Sequence, residues 1–152
     1  MNIIFTRPLI DAEDLMTSFL SSNYKVIHLP TLSITSAKME PLNTNDFDGL
    51  IFTSTNAVRF LKLKNDEKNI KCFCVGNITE RSLRLKGFNN TVAASGTVMA
   101  LKNIILNSDK KIKNLAYLCG DVVSYDLDKD LALSGFKVKK IVNYTSNKII
   151  DL

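Results

Sequence analysis

Four short segments of the chain carry residue types suited to holding an anion. They are Thr53-Ser54-Thr55-Asn56, Gly76-Asn77-Ile78-Thr79, Ser95-Gly96-Thr97 and Cys119-Gly120-Asp121. Each follows an apolar, β-rich run, and most open a helical pattern. Free N–H groups at a helix start, with the positive end of the helix dipole, attract negative charge. Glycine lets the main chain approach a ligand closely, and hydroxyls add donors. Several such turns along one sheet edge suit a ligand carrying several carboxylates or phosphates. The same residues are also ordinary helix caps and turn formers, so residue type alone leaves both readings open.

Other chemistry is thinly supplied. The chain has one histidine, His28, and no Ser/His/Asp arrangement at its strand ends. Cys72 and Cys74 lie two apart in KCFCVG and share one face of a strand, with Cys119 elsewhere. Zinc sites draw ligands from at least two places at recognisable spacing, so these read as buried structural thiols and no metal is expected. Neither GxGxxG nor GxxxxGK(S/T) occurs, which leaves dinucleotide and P-loop sites unsupported. Tyr144 closes the last apolar run, placed either to pack its ring with the hydroxyl wet or to act on a ligand.

Composition narrows the partners. The 20 Lys and Arg outnumber the 15 Asp and Glu, for a net charge of +5. The lysines are scattered, without an Arg-rich stripe or aromatic–basic interleaving, which argues against nucleic acid. The excess is either a habit of composition or a mild attraction for an anionic small molecule. No window reaches the roughly 20 apolar residues of a membrane span. The opening MNIIFTRPL is cut short by Arg7 and Pro8, unlike a secretory signal. A cytoplasmic location is expected.

The elements that must position these residues follow from periodicity. NIIFT (2–6) and KVIHL (25–29) read as strands around a helix whose Ala12, Leu15, Met16, Phe19 and Leu20 recur at helical spacing, with Asp11 as its expected cap. Residues 30–45 carry Pro30, Pro41 and a polar run, and read as a linker in which TLSIT (31–35) alternates. From Asp48 onward, strands GLIFTS, KCFCVG, TVAAS, NLAYLCG and FKVKKIVNY alternate with helices at 56–64, 79–86, 98–106 and about 125–133. That alternation predicts an α/β domain with a doubly wound, flavodoxin-like, parallel five-stranded sheet. The N-terminal βαβ unit cannot cover its own two strands and reads as a fragment of a second, similar lobe.

The segments IIFTRP, DFDGLIFTSTNAVRF, CFCVGNITERSLRLKGF and YLCGDVVSYDLDKDLALSGFKVKKIVNY, in that order, resemble uroporphyrinogen-III synthase. The likeness runs from residue 2 to about residue 147, and FTS-x-NAV followed by VGN-x-T is its most specific part. The resemblance implies two flavodoxin-like lobes joined by a two-stranded linker. Residues 1–30 begin lobe one, 31–46 form the outbound linker, 47–141 the whole of lobe two, and 142–152 the return linker. On this mapping the chain ends before lobe one is finished, and a second polypeptide or exchange between copies would complete it.

The implied reaction closes hydroxymethylbilane, a linear tetrapyrrole with eight carboxylates, into uroporphyrinogen III. Loss of its hydroxyl gives an azafulvene cation, and the substituted carbon of the terminal pyrrole attacks to form a spirocyclic pyrrolenine. Fragmentation and reclosure leave that ring inverted, and the family chemistry runs without a metal or cofactor. Carried over by position, Ser54 and Asn56 match the turn facing the cleft, Thr79 a hydroxyl at the start of the next helix, and Tyr144 the catalytic tyrosine that assists departure of the hydroxyl. Thr53, Gly76, Thr97 and Gly120 join them as expected substrate-binding positions, and Arg7 in the TRP turn faces substrate carboxylates or braces the turn. Many family members carry a basic residue shortly after the CG turn, where this chain has Ser124. Two other functions remain open from the residues alone: a flavodoxin-like module binding an anion or flavin, and a receiver-type regulatory domain. The first lacks aromatic supply, with no Trp and four Tyr, and the second lacks clustered acids at the sheet edge.

Overall fold

The computed structural model describes residues 1–149. Contact density divides the chain into two compact units, Met1–Thr35 with Ser146–Leu152, and Ser36–Thr145. Of the expected return segment 142–152, residues 150–152 lie outside the described residues.

The first unit pairs β1 (Asn2–Phe5) in parallel with β2 (Lys25–His28), joined through helix α1 (Leu9–Ser21). Alternation gives the two strands different faces. Phe5 packs against Phe19 of α1 with ring centroids 5.9 Å apart, and Phe19 meets Tyr24 edge-on at 5.6 Å. Ile4 and Ile27 point the other way and remain exposed. Asp11 does not cap α1 as expected. The helix starts three residues earlier, with Pro8 in the cap position, and Asp11 lies in its first turn. Pro8 has an extended ψ of 145° and no side-chain donor or acceptor, so no side chain caps this helix.

The second unit carries the five strands that the alternation predicts. They are β4 (Gly49–Phe52), β5 (Lys71–Val75), β6 (Thr91–Ala94), β7 (Asn114–Gly120) and β8 (Lys137–Lys148). All pair in parallel, in the order β6-β5-β4-β7-β8. Four helices cover them: α2 (Thr55–Arg59), α3 (Asn77–Leu85), α4 (Val98–Leu106) and α5 (Leu127–Leu133). Leu50, Phe52, Cys72, Cys74, Ala116 and Leu118 face Ala57 and Val58 of α2 and Leu83 of α3. Ile51, Phe73, Leu115, Tyr117 and Cys119 face Leu101 and Ile105 of α4 and Leu127 and Leu131 of α5. The sheet is thus doubly wound, which explains why its strands read as nearly continuous apolar runs. A fully buried Leu or Phe contributes about 1.5–3 kcal/mol in such a core.

Strand β3 (Leu32–Ser36), which belongs to the first unit as far as Thr35, lies beside β8, whose residues 146–148 belong to that unit as well. Ala37 N–H donates to Asn143 O and Ile149 N–H donates to Thr31 O, so the two run antiparallel. The expected extended connector is therefore a paired strand. Helix α2 is shorter than the expected 56–64. After Phe60 the chain is drawn into a bridge between Leu42 and Leu63, with Leu42 N–H donating to Lys62 O and Lys64 N–H to Leu42 O. No described helix is long and apolar enough to cross a membrane.

Candidate functional site

The strand order reverses between β4 and β7, where successive connections leave in opposite directions. In open α/β sheets, ligands bind beyond the carboxyl ends of the strands at such a point. A concavity of about 180 Å³ opens there, lined by Thr53, Ser54, Gly120, Ser124 and Tyr144 and floored by Tyr117 and Cys119.

Each of these residues is placed by the local fold. Ser54 is the N-cap of α2, and its Oγ accepts from Asn56 N–H at 3.2 Å. An accepting hydroxyl still has its own proton to give outward. Thr53 Oγ1 lies 3.2 Å from Tyr117 Oη, so one hydroxyl donates to the other. Tyr117 is 2 % exposed, and burial pushes its phenol up to about 12. It therefore stays protonated at neutral pH.

Tyr144 sits where the β7–β8 ladder is irregular. Cys119 pairs with Val142 and Gly120 pairs with Tyr144, leaving Asn143 as an extra residue. The Tyr144 ring lies against Gly120 and stacks near Phe60, with centroids 6.5 Å apart and planes inclined at 28°. A Cβ built on Gly120 would stand 2.7 Å from Tyr144 Cε2 and 2.8 Å from Cζ. Contacts that short do not occur between carbon atoms, so this glycine is the seat of the ring.

The structure gathers Thr53, Ser54, Gly120 and Tyr144 around one concavity, and gives the other expected positions different surroundings. Thr79 is buried and shares a 3.2 Å hydrogen bond with Thr55 Oγ1. Asn56 is 9 % exposed, and its Oδ1 accepts from the Arg59 guanidinium. Thr97 caps α4, accepting from Ala100 N–H at 3.1 Å. Gly76 precedes α3 with φ of 83°, a conformation that favours glycine. Arg7 stands in the first unit, where its carbonyl accepts from His28 Nε2 at 2.8 Å.

Sequence reasoning missed Tyr117, which looks like a mid-strand core residue. The available signal was its separation of two from Cys119, which puts both on one face at the carboxyl end of β7. Tyr125 also lines the concavity, but its phenol is engaged by Asp130, which pairs in turn with Lys102 Nζ at 2.7 Å. Cys72 and Cys74 are fully buried, and burial raises their thiols to about 12 and about 11. Among the described residues, no three His, Cys, Asp or Glu side chains converge as a metal site would require.

The sequence profile of the family described as uroporphyrinogen-III synthase HemD matches residues 13–151. The chain belongs to the uroporphyrinogen-III synthase family. Among solved structures it is similar to the uroporphyrinogen-III synthetase of Helicobacter pylori, at 23% identity and a TM-score of 0.62, covering 100% of this chain and 64% of that one. It is also similar to a mutant uroporphyrinogen III synthase of Thermus thermophilus, at 13% identity and a TM-score of 0.65, covering 98% of this chain and 64% of that one. Both likenesses establish the synthase fold, and the chain spans 64% of the length of each. No match is found among curated proteins.

Proposed function

We propose that the chain acts in uroporphyrinogen-III synthesis, with the concavity at the ends of β4 and β7 holding the reacting end of hydroxymethylbilane while the rest of the substrate lies outside it. One observation carries this reading: the Tyr144 ring is seated on Gly120, beside the hydroxyls of Thr53 and Ser54, at the reversal of strand order. Family membership supplies the reaction class.

The chemistry asks little of strong acids or bases. The C–O bond of the hydroxymethyl group breaks as the pyrrole nitrogen lone pair pushes out the oxygen. Tyr144 donates a hydrogen bond to that departing oxygen, which takes up a proton from solvent and leaves as water. The substituted α-carbon of the terminal ring then attacks the azafulvene carbon; the spirocyclic pyrrolenine breaks its original methylene bond and recloses through the free α-carbon, which loses its proton to solvent, leaving that ring inverted. Most of the task is to fold a flexible tetrapyrrole into one reactive geometry. Ser54 and the Thr53–Tyr117 pair supply neutral donors for substrate carboxylates, and Ser124 stands on the same rim. Neutral donors hold carboxylates without placing a competing base beside the cation. The same reading places this work in the cytoplasm.

The test is incubation of the chain with hydroxymethylbilane, alone and with a second polypeptide supplying the rest of a synthase lobe. The products are oxidised and the uroporphyrin isomers separated. The III isomer in either tube supports the assignment, and the spontaneous I isomer alone in both overturns it.

A further inference from the structure

Asn143 is the most deeply buried polar residue near the concavity, at 0 % exposure. It lies in the irregularity of the β7–β8 ladder, between Val142, which pairs with Cys119, and Tyr144, which pairs with Gly120. Its side-chain Nδ2 donates to Ala57 O at 2.7 Å, across 86 positions of sequence. Ala57 belongs to the five-residue helix α2, whose last carbonyls have no partner within the helix. The Asn143 amide satisfies one of them. Its other amide atom, Oδ1, is buried without a hydrogen-bond partner. An orphaned buried acceptor costs free energy, so core packing alone does not account for an asparagine here.

The consequence is a change of face. Along β8, Val138 and Val142 pack on the side of α4 and α5, and Ile141 packs on the side of α2 and α3. Strict alternation would return residue 144 to the α4/α5 side. With one extra residue inserted, Tyr144 instead packs on the α2 side, against Phe60 and over Gly120. A bulge re-aims a side chain in this way, and a slip of one residue reverses the face. Two backbone bonds flank the insertion: Ala37 N–H donates to Asn143 O at 3.1 Å, and Asp121 N–H to Tyr144 O at 3.1 Å.

We propose that Asn143 is a positioning residue: its amide, tied to the end of α2, holds the one-residue bulge that turns Tyr144 onto Gly120 and toward the concavity. The inference deepens the proposed function, and rests on it only for the consequence in turnover. The placement of the ring stands apart from any activity.

The test uses the 152-residue chain with ¹³C-labelled tyrosine rings, which has only four tyrosines to assign. The Tyr144 signal is assigned by its loss in Tyr144→Phe. In Asn143→Leu, similar in volume but unable to donate to Ala57 O, the Tyr144 signal is expected to move in the direction seen in Gly120→Ala, while that of Tyr24 stays fixed. Turnover should fall roughly tenfold to a hundredfold in kcat with little change in KM, as expected when a reacting group is misplaced by about 1 Å. A folded Asn143→Leu chain with an unmoved Tyr144 signal overturns the proposal. Should that variant not fold, the wild-type chain decides: the Asn143 side-chain amide must exchange its protons far more slowly than the exposed Asn45 and Asn89, and equal rates sink the idea. If the Tyr144 signal moves but Tyr144→Phe turns over normally, the positioning role stands and the catalytic role of Tyr144 falls.

Discussion

The two ends of the second unit's sheet differ in a way that separates size from chemistry. At the amino ends of β4, β5 and β6 lies a cleft of about 830 Å³, more than four times the volume of the concavity at the carboxyl ends. Most of its polar side chains are spent on the fold. Asp48 Oδ2 accepts from Lys113 and Asn114 N–H at 3.0 and 2.8 Å, and Thr44 Oγ1 donates to Glu67 O at 3.1 Å. Asn90 Nδ2 reaches Asn69 O, Asn107 Nδ2 reaches Asn103 O, and Ser108 Oγ reaches Ile105 O. These groups close turns that the strands need before they begin. At the other end, the Ser54 and Ser124 hydroxyls keep protons of their own, and a phenol is held against a glycine. A large opening most of whose polar side chains are already engaged offers less to a ligand for its size than a small one with uncommitted hydroxyl protons.

Four substitutions sharpen or break this contrast. The largest effect is expected for Tyr144→Phe, which removes only the hydroxyl: turnover should drop on the order of a hundredfold, with the melting temperature nearly unchanged. Initial rates with hydroxymethylbilane, read beside a thermal melt, check it, and an unchanged rate removes Tyr144 from the mechanism. Gly120→Ala should cost roughly tenfold, because the added methyl must push the ring off its seat. A crystal structure of that variant with the Tyr144 ring in its original place would contradict the seat.

Tyr117→Phe frees Thr53 from its buried partner and should slow turnover only a few-fold. Because burial lifts the Tyr117 phenol to about 12, the wild-type pH–rate profile should show no limb from this group below about pH 11. An alkaline limb at lower pH that vanishes in Tyr117→Phe would show the phenol to be less protected than the fold implies. The smallest effect on turnover belongs to Asp48→Asn at the opposite end, where no change is expected. Stability should respond instead. Backbone N–H groups of Asn114 and Lys113 hold the Asp48 carboxyl below its usual range. A depressed folded pKa gives stability that is present above the unfolded value and lost as pH falls through the folded one. The melting difference between wild type and Asp48→Asn should therefore be largest above about pH 4 and shrink below it.

Much of this architecture is written locally, and what escapes reading is non-local. Helix α4 spans Val98–Leu106 and strand β7 spans Asn114–Gly120, as their periodicity predicts, because each is an apolar run bounded by turn residues. Helix α2 ends early because Leu42, well upstream in the chain, claims Leu63. Strand β3 looks like a linker, since its partner β8 lies near the far end of the chain. The hydroxyl and glycine residues at the strand ends are visible in sequence, but their allotment is not. Ser54, Asn56, Thr79 and Thr97 look equivalent on paper, and only folding shows which is a cap, which is buried and which borders a hollow. The bulge at Asn143 has no local signature, because it exists only in the pairing with β7.

The central claim is that ligand chemistry belongs to the small concavity at the carboxyl ends of β4 and β7. Titration of ¹⁵N-labelled protein with an octacarboxylate porphyrinogen product, followed by amide chemical shifts, addresses it most directly. Shifts concentrated at Thr53, Ser54, Gly120, Ser124 and Tyr144 are the predicted result. Shifts concentrated instead at Asn69, Asn90, Asn107 and Ser108, around the larger cleft, would contradict it.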